Sequence, residues 1–393
     1  AMNNGNGFSV GQDLLDRCHE RAPVYDRENR FFQEDFDELK EAGYLLMSVP
    51  REFGGHGMTL AEVARVTRTL AYHAPATALA LNMHHYWVGL TADLWRAGER
   101  SLDWLLEAAG QGEVFAAGHA ESSNDIPLLL STTKAERVDG GYRFNGRKSF
   151  VSLTPVWTYM GLHGMDTSDP NSPKIVHAFT PRDAEGISIK ETWDVLGMRA
   201  TRSDDTILDN VFVPDKHIAR VVPAGAAGLD HFVLGIFAWA LVSFGNIYYS
   251  LATRMRDLTV QMLQDKSSLA MTRSMSYHPM VQYGVAEIVL QLEAILPQLE
   301  AVAQNWSSTT EHGPEFALPI VAAKYNAVEG AFRVADRALD LSGGFGMFKK
   351  SELERLFRDS RAGRFHPAGW ALTHELLAKL TLGIDPDEQP RWG

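Results

Sequence analysis

The chain has 393 residues, 45% hydrophobic and 22% charged, an ordinary globular composition with enough apolar material for two or three packed domains. Its formal net charge of -12 opposes polyanions at long range, which excludes nucleic acid as a general partner; a few local cations and backbone N–H groups still suffice to hold a phosphate-bearing cofactor. The single cysteine, Cys18, rules out an intramolecular disulfide and any multi-cysteine metal site, so no metal is expected and a reducing, cytoplasmic setting fits.

The opening AMNNGNGFSVGQDLL has no basic segment followed by an apolar run, and no uninterrupted apolar stretch reaches membrane-spanning length, which predicts an untargeted protein with no membrane partner. From Phe31 to about Glu113 the pattern is helical. FFQEDFDELKEAGYLLM spaces its apolar residues by three and four, stops at Gly43 and runs into the turn-rich VPREFGGHGM. A second helix is predicted from Thr59 to Pro75, and ATALALNMHHYWVGLTADLW then reads as a helix apolar on nearly all sides, hence buried. Between about Phe115 and Pro214 the period changes. KAERVD, YRFNG, KSFVSL, KIVHAFTP and TILDNVFVP, separated by Gly, Asp, Asn and Pro clusters, predict a small antiparallel sheet. Long helices return after VPAGAAGLD, the first of them opening with FVLGIFAWALVSFG, whose apolarity suits burial within one subunit and an interface between subunits equally well.

Several local strings, collinear along nearly the whole chain, resemble the acyl-CoA dehydrogenase superfamily. GYLLMSVPREFGGHGMTLAE is similar to the family's N-terminal stretch, and FAAGHAESSND to the segment that opens its sheet domain and lays backbone groups against the flavin ring. FNGRKSFVS, LGMRATRSDDTILDNVFVP and LSGGFGMFKKSELERLFRDSRA resemble, in turn, its strand with a Lys, an aromatic and a small hydroxyl residue, its later strand pair, and its Gly-Gly-x-Gly turn with the following helix. The resemblance implies a mostly α fold with an N-terminal α-helical domain (1–114), a middle antiparallel β domain (115–220) and a C-terminal four-helix bundle (221–393). It also implies FAD as cofactor, FMN being the alternative, a small-molecule substrate, and a homo-oligomer, tetramer or dimer.

Residue by residue, the resemblance puts His119 and Ala120 in the flavin wall. Phe150 would lay its face on the isoalloxazine, and Ser152, two residues on and on the same side of a strand, would bring its hydroxyl near flavin N5. Gly343 and Gly344 permit close backbone approach to a pyrophosphate. Lys266 or Arg273 would supply the pyrophosphate cation, because QDKSSLAMTRSMSYHP stands where the family carries an Arg-x-x-Phe-Gly string. Alone, a Ser on a strand is ordinarily a surface hydroxyl, and a Gly string is ordinarily a helix C-cap and turn.

The chain departs from the family at the catalytic base. Acyl-CoA dehydrogenases remove the α proton of a thioester with a glutamate. An ungapped match from Arg358 puts Pro367 at the usual position of that glutamate, and Phe232 stands at the alternative one on the first long C-terminal helix. The flavin monooxygenases of the same fold, the dibenzothiophene monooxygenase type among them, need no such base. They take reduced flavin from a separate reductase, bind O2, form a C4a-hydroperoxyflavin, and use histidine and serine near the flavin to hold or deprotonate substrate. His366 resembles their C-terminal histidine, and His84 or His85 the one on the buried N-terminal helix; adjacent helical residues point about 100° apart, so at most one of that pair faces the cleft. A histidine on an apolar helix is also, commonly, a hydrogen-bonded core residue. The preferred expectation is a two-component monooxygenase acting on a small apolar or aromatic substrate. Its rivals are an acyl-CoA or acyl-carrier-protein dehydrogenase with a displaced carboxylate, for which Glu375, Glu121 and Asp125 are the candidates, and a catalytically silent binding subunit.

Overall fold

The computed structural model of the protein describes residues 7–388. The first six residues of the N-terminal string read above, and the outermost ends of the first and last domains, lie outside the described residues. Helices α1 (Gln12–Glu28), α2 (Gln33–Glu41), α3 (Leu60–His73), α4 (Pro75–Arg96) and α5 (Asp103–Gly110) come first. The helix read from Phe31 is α2, and it ends where expected, since Gly43 takes a φ of 90° that side chains disfavour. Helix α3 starts on a capping box: Thr59 accepts from the Glu62 N–H while the Glu62 carboxylate accepts from the Thr59 N–H. Pro75 opens α4, where its missing N–H costs nothing. Helix α1 was not anticipated; it packs through Leu14, Leu15, Cys18, Ala22 and Tyr25, spaced by three and four along an otherwise charged helix. Burial pushes the Cys18 thiol pKa up, so this cysteine is an inert core residue.

Eight strands follow: β1 (Phe115–Gly118), β2 (Lys134–Val138), β3 (Gly141–Lys148), β4 (Tyr159–Asp166), β5 (Lys174–Pro181), β6 (Ile187–Lys190), β7 (Asp205–Pro214) and β8 (Ile218–Pro223). They form one sheet in the order β6-β7-β3-β2-β4-β5-β8, with β1 paired to β4. Most neighbours are antiparallel, as expected, but β1 and β2 both run parallel to β4. The stretch KSFVSL is not a strand. β3 ends at Lys148, and the chain then turns through positive φ at Phe150 (55°) and Leu153 (69°).

Helices α6 (His231–Asp265), α7 (Pro279–Ser307), α8 (Ala317–Ser342), α9 (Glu352–Arg361) and α10 (Trp370–Leu382) complete the chain. The apolar α6, long enough to cross a membrane by length and composition, is buried among α3, α4, α7 and α8, which explains its composition from within one subunit. Trp239 on α6 and Trp306 on α7 both donate to Asp93 of α4, at 2.7 and 2.9 Å, so the two helical blocks share one polar anchor. The sheet docks on α4 just as closely. A Cβ at Gly161 of β4 would lie 2.2 Å from the Trp87 ring, so only glycine lets this strand pass the indole, which donates to Ala116 O of β1 at 2.9 Å. That contact positions the middle of α4 over the first strand.

Candidate active site

The turn after β3 is the first element of the site. Residues 151–154 pair with 201–204 through Val151 N to Asp204 O (3.3 Å), Leu153 N to Thr201 O (3.2 Å) and Thr154 N to Arg202 O (3.3 Å). This brings Ser152 opposite Ser203: their hydroxyls are 2.6 Å apart, and Thr201 Oγ1 lies 2.8 Å beyond. Because Phe150 is left-handed, it does not share a strand face with Ser152. Its ring is 59% exposed and meets only the edge of Trp193 (5.6 Å), whereas Ser152 is buried. The expected juxtaposition of the two on one strand is therefore corrected: a turn, not a pleat, presents an open aromatic face beside a buried hydroxyl row.

That row is tied to the C-terminal helices. Met198 N donates to Asp359 of α9 at 2.7 Å, and Thr201 Oγ1 donates to Met198 O. Helix α9 leads through a single tight turn to His366. The His366 ring stacks on Phe244 (centroids 4.3 Å, planes 13° apart) and its Nε2 lies 2.7 Å from the Tyr248 hydroxyl, both residues being on α6. Burial and the Lys324 ammonium push the His366 pKa down to about 3, and burial holds Tyr248 protonated, so both are neutral at ordinary pH. Lys324, on α8, is itself buried; its Nζ donates to the carbonyls of His366 (2.8 Å) and Ala368 (2.9 Å), and burial lowers its pKa to about 7. Lys324→Met would strand two carbonyls in the interior. We expect a loss of about 2 kcal/mol in stability, measured by urea unfolding, together with looser placement of His366.

The remaining predicted residues fall elsewhere. His84 has both ring nitrogens committed: Nε2 to Leu45 O at 2.9 Å and Nδ1 accepting from Phe115 N at 3.2 Å. It pins β1 to α4 and has no nitrogen left for chemistry, a structural role in place of the expected catalytic one. His85 is packed edge-on against Tyr44 (4.9 Å) with neither nitrogen partnered. Tyr86, not selected from sequence, also reaches the flavin-wall segment, its hydroxyl 3.2 Å from His119 Nδ1. His119 is buried and Ala120 pairs with Ser149, which fixes β1 to the turn after β3. Glu121 beside them is consumed: it accepts from Ser131, Thr132 and Thr133 and pairs with the buried Lys148 at 3.3 Å, and the ammonium and hydroxyls hold its carboxyl below the usual range despite burial.

The glycine turn after α8 completes the set. Gly343 has a φ of 66°, and a side chain at Gly344 would meet nothing within 4 Å, so the backbone is open to a ligand. Lys266 Nζ lies 3.8 Å from the Gly343 Cβ position and 5.5 Å from the Phe345 ring. Arg273 stacks instead on Tyr277 at 4.8 Å, so of the two expected cations it is Lys266 that stands at the turn. At the two positions considered for the thioester base, Pro367 follows His366, and Phe232 is fully buried between Trp87 and His177. Glu375 is bonded to Lys379 at 2.8 Å on α10, and Asp125 is exposed. Among the described residues, no cluster of three His, Cys, Asp or Glu is placed to hold a metal.

Models of the acyl-CoA dehydrogenase N-terminal, middle and C-terminal domains match residues 12–102, 119–211 and 244–369 in that order. The chain belongs to the acyl-CoA dehydrogenase family. Within this family of flavin-dependent oxidoreductases it is 26% identical to the putative acyl-CoA dehydrogenase YdbM of Bacillus subtilis, covering 93% of this chain and 94% of that one. It is 28% identical to the L-evernosamine nitrososynthase of a Micromonospora species (95% and 89% covered) and 25% identical to the dibenzothiophene monooxygenase of Mycolicibacterium goodii (92% and 90%). Among solved structures, KijD3 in complex with FMN and a dTDP-linked amino sugar superposes with a TM-score of 0.82 at 25% identity, over 96% of this chain and 93% of that one.

Proposed function

We propose that this acyl-CoA dehydrogenase-family protein is a flavin-dependent monooxygenase that transfers one oxygen atom from O2 to a small, largely apolar or aromatic substrate, with reduced flavin delivered by a separate reductase. The observation that carries the reading is the exchange of acid-base groups: proline and phenylalanine stand at the two positions of the thioester base, while a neutral imidazole backed by a tyrosine, His366, precedes that proline. With neither position carrying a carboxylate, the α-proton abstraction on which an acyl-CoA dehydrogenase depends has no base there.

The residues present fit a flavin. The exposed Phe150 face is free to stack on a ring system, and the Gly343–Gly344 backbone with Lys266 forms a cradle that accepts a pyrophosphate, which favours FAD over FMN. The exposed Phe345 and Phe348 beside that cradle fit a second subunit, so the cofactor is read as shared within a homo-oligomer. Bound reduced flavin supplies the activation of O2. The chain's own residues do the rest. With Nε2 engaged by Tyr248, His366 offers Nδ1 to a substrate N–H or O–H. The Ser152–Ser203–Thr201 row gives hydroxyls that donate or accept at short range, and Phe244 closes one face of the imidazole against water.

The test is to mix the protein anaerobically with photoreduced FAD, and separately FMN, then admit heavy-oxygen-labelled O2 in the presence of a panel of small aromatic, thioether and amine substrates. Reoxidation slower than that of free flavin, and label in a product, are expected. Immediate reoxidation with all oxygen released as hydrogen peroxide across the panel would count against the reading, and anaerobic bleaching of bound oxidised flavin by acyl-CoA would replace it with the dehydrogenase.

A further inference from the structure

Away from His366, between α1 and the start of α9, lies a cavity of about 110 Å³ that nothing in the reaction uses. Its floor is Arg355, and its rim carries Arg27, Lys349 and Lys350. We infer that this cavity binds a phosphate group, either inorganic phosphate or the phosphoryl end of a small metabolite.

The argument begins with Arg355. It is 5% exposed, its Nε has no hydrogen-bond partner, and its nearest carboxylate oxygens, on Glu352 and Asp359, are 3.7 and 3.9 Å away, beyond hydrogen-bonding distance. A guanidinium is never deprotonated in a protein, so a buried one without good partners is a cost that a ligand would remove. The two carboxylates that line the cavity are already engaged. Asp26 takes a bidentate pair from Arg358 (2.9 and 2.7 Å), and Glu352 one from Arg254 (3.0 and 2.9 Å). Among the described residues Arg27 and Lys350 are exposed and pair with no carboxylate, and Lys349 pairs with Glu354 at 2.9 Å.

A second feature points the same way. The ten-residue helix α9 starts at the cavity, which Ser351 and Glu352 line, and the Ser351 side chain at its N-cap makes no capping bond, leaving the first-turn N–H groups without that side-chain acceptor. Helix N-termini carry partial positive charge and suit oxyanions. A tetrahedral oxyanion would receive the fork of Arg355, the α9 N–H groups and the rim cations together, which a chloride or a carboxylate would match less fully.

The experiment is isothermal titration of the full chain with inorganic phosphate, against sodium chloride at matched ionic strength, and with a nucleoside 5′-monophosphate as a second arm. Saturable phosphate uptake is expected. A rim variant, R27E/K350E, changes only exposed residues and keeps the fold; it should weaken phosphate at least about tenfold, and Arg355→Lys, which loses the fork but keeps the charge, should weaken it comparably. Tighter binding of the monophosphate than of phosphate identifies a phosphorylated metabolite as the occupant, and equal binding identifies the free ion. Heat signals indistinguishable from chloride, or phosphate binding untouched in the folded rim variant, overturn the inference.

Discussion

His366→Ala is expected to lower kcat/KM by about 10²-fold while leaving the protein folded and able to bind reduced flavin. The size follows from what a histidine in this setting can do. Burial and Lys324 hold its pKa near 3, so it is a poor acceptor of a whole proton at neutral pH. It is well suited to accept or donate a hydrogen bond that orients a substrate, and misplacing a substrate beside its oxidant costs rate steeply. Most of the lost rate should reappear as hydrogen peroxide, because reduced flavin will still react with O2 when the substrate is poorly held. His366→Asn, which restores one donor and one acceptor, should recover part of the coupling, and Tyr248→Phe, which removes only the partner of Nε2, should cost about tenfold. The pH profile of the native enzyme should show no inflection from His366 itself, and one near pH 7 belongs to Lys324, whose ammonium holds the His366 carbonyl. Full coupling in His366→Ala, measured as product formed per flavin oxidised, would remove this residue from the site.

Much of this arrangement was legible before any coordinates. The helix-sheet-helix order, the Gly43 stop, the Thr59 start and the buried α4 followed from periodicity and caps, and the collinear strings indicated the family. His366 and the loss of the thioester base were visible as a departure from one short string. The turn at Phe150 was not, because KSFVSL has the composition of a strand and only the pairing of 151–154 with 201–204 bends it. Choosing among His84, His85 and Tyr86 required knowing which side of α4 faces β1, since a helix buried on all sides gives no such signal. Lys324 left a clue that went unused: it sits on the apolar stripe of α8 with Ile320, Ala327, Val328 and Ala331, where a lone lysine needs an interior acceptor.

The second large effect is on stability, and it comes from the buried histidines. His84 (pKa about 4) and His177 (about 3) are pushed down by burial, and so are His85, His119 and His163, all well below the ordinary value; His366 joins them. In each case the unfolded chain binds a proton at higher pH than the folded one does. Their contribution is therefore complete above about pH 6.5 and is lost as pH falls toward the folded values, by roughly 1.4 kcal/mol per pH unit per histidine. At pH 5 His84, His177 and His366 have each given up roughly 2 kcal/mol. Asp35 and Asp359 work the other way. Burial raises both to about 6, so they gain stability as pH falls through that value, but together they return only about 3 kcal/mol at pH 5. The balance of these groups is a net loss of roughly 3 kcal/mol at pH 5, deepened by His85, His119 and His163, a large part of an ordinary domain's stability, so cooperative unfolding is expected below about pH 5. Tryptophan fluorescence and near-ultraviolet circular dichroism across an acid titration would follow it. His177 offers a direct check, since neither of its ring nitrogens has a partner and it packs against Phe232. His177→Leu should move the acid midpoint down by a few tenths of a pH unit, and an unchanged midpoint in that variant would mean that some other group drives the transition.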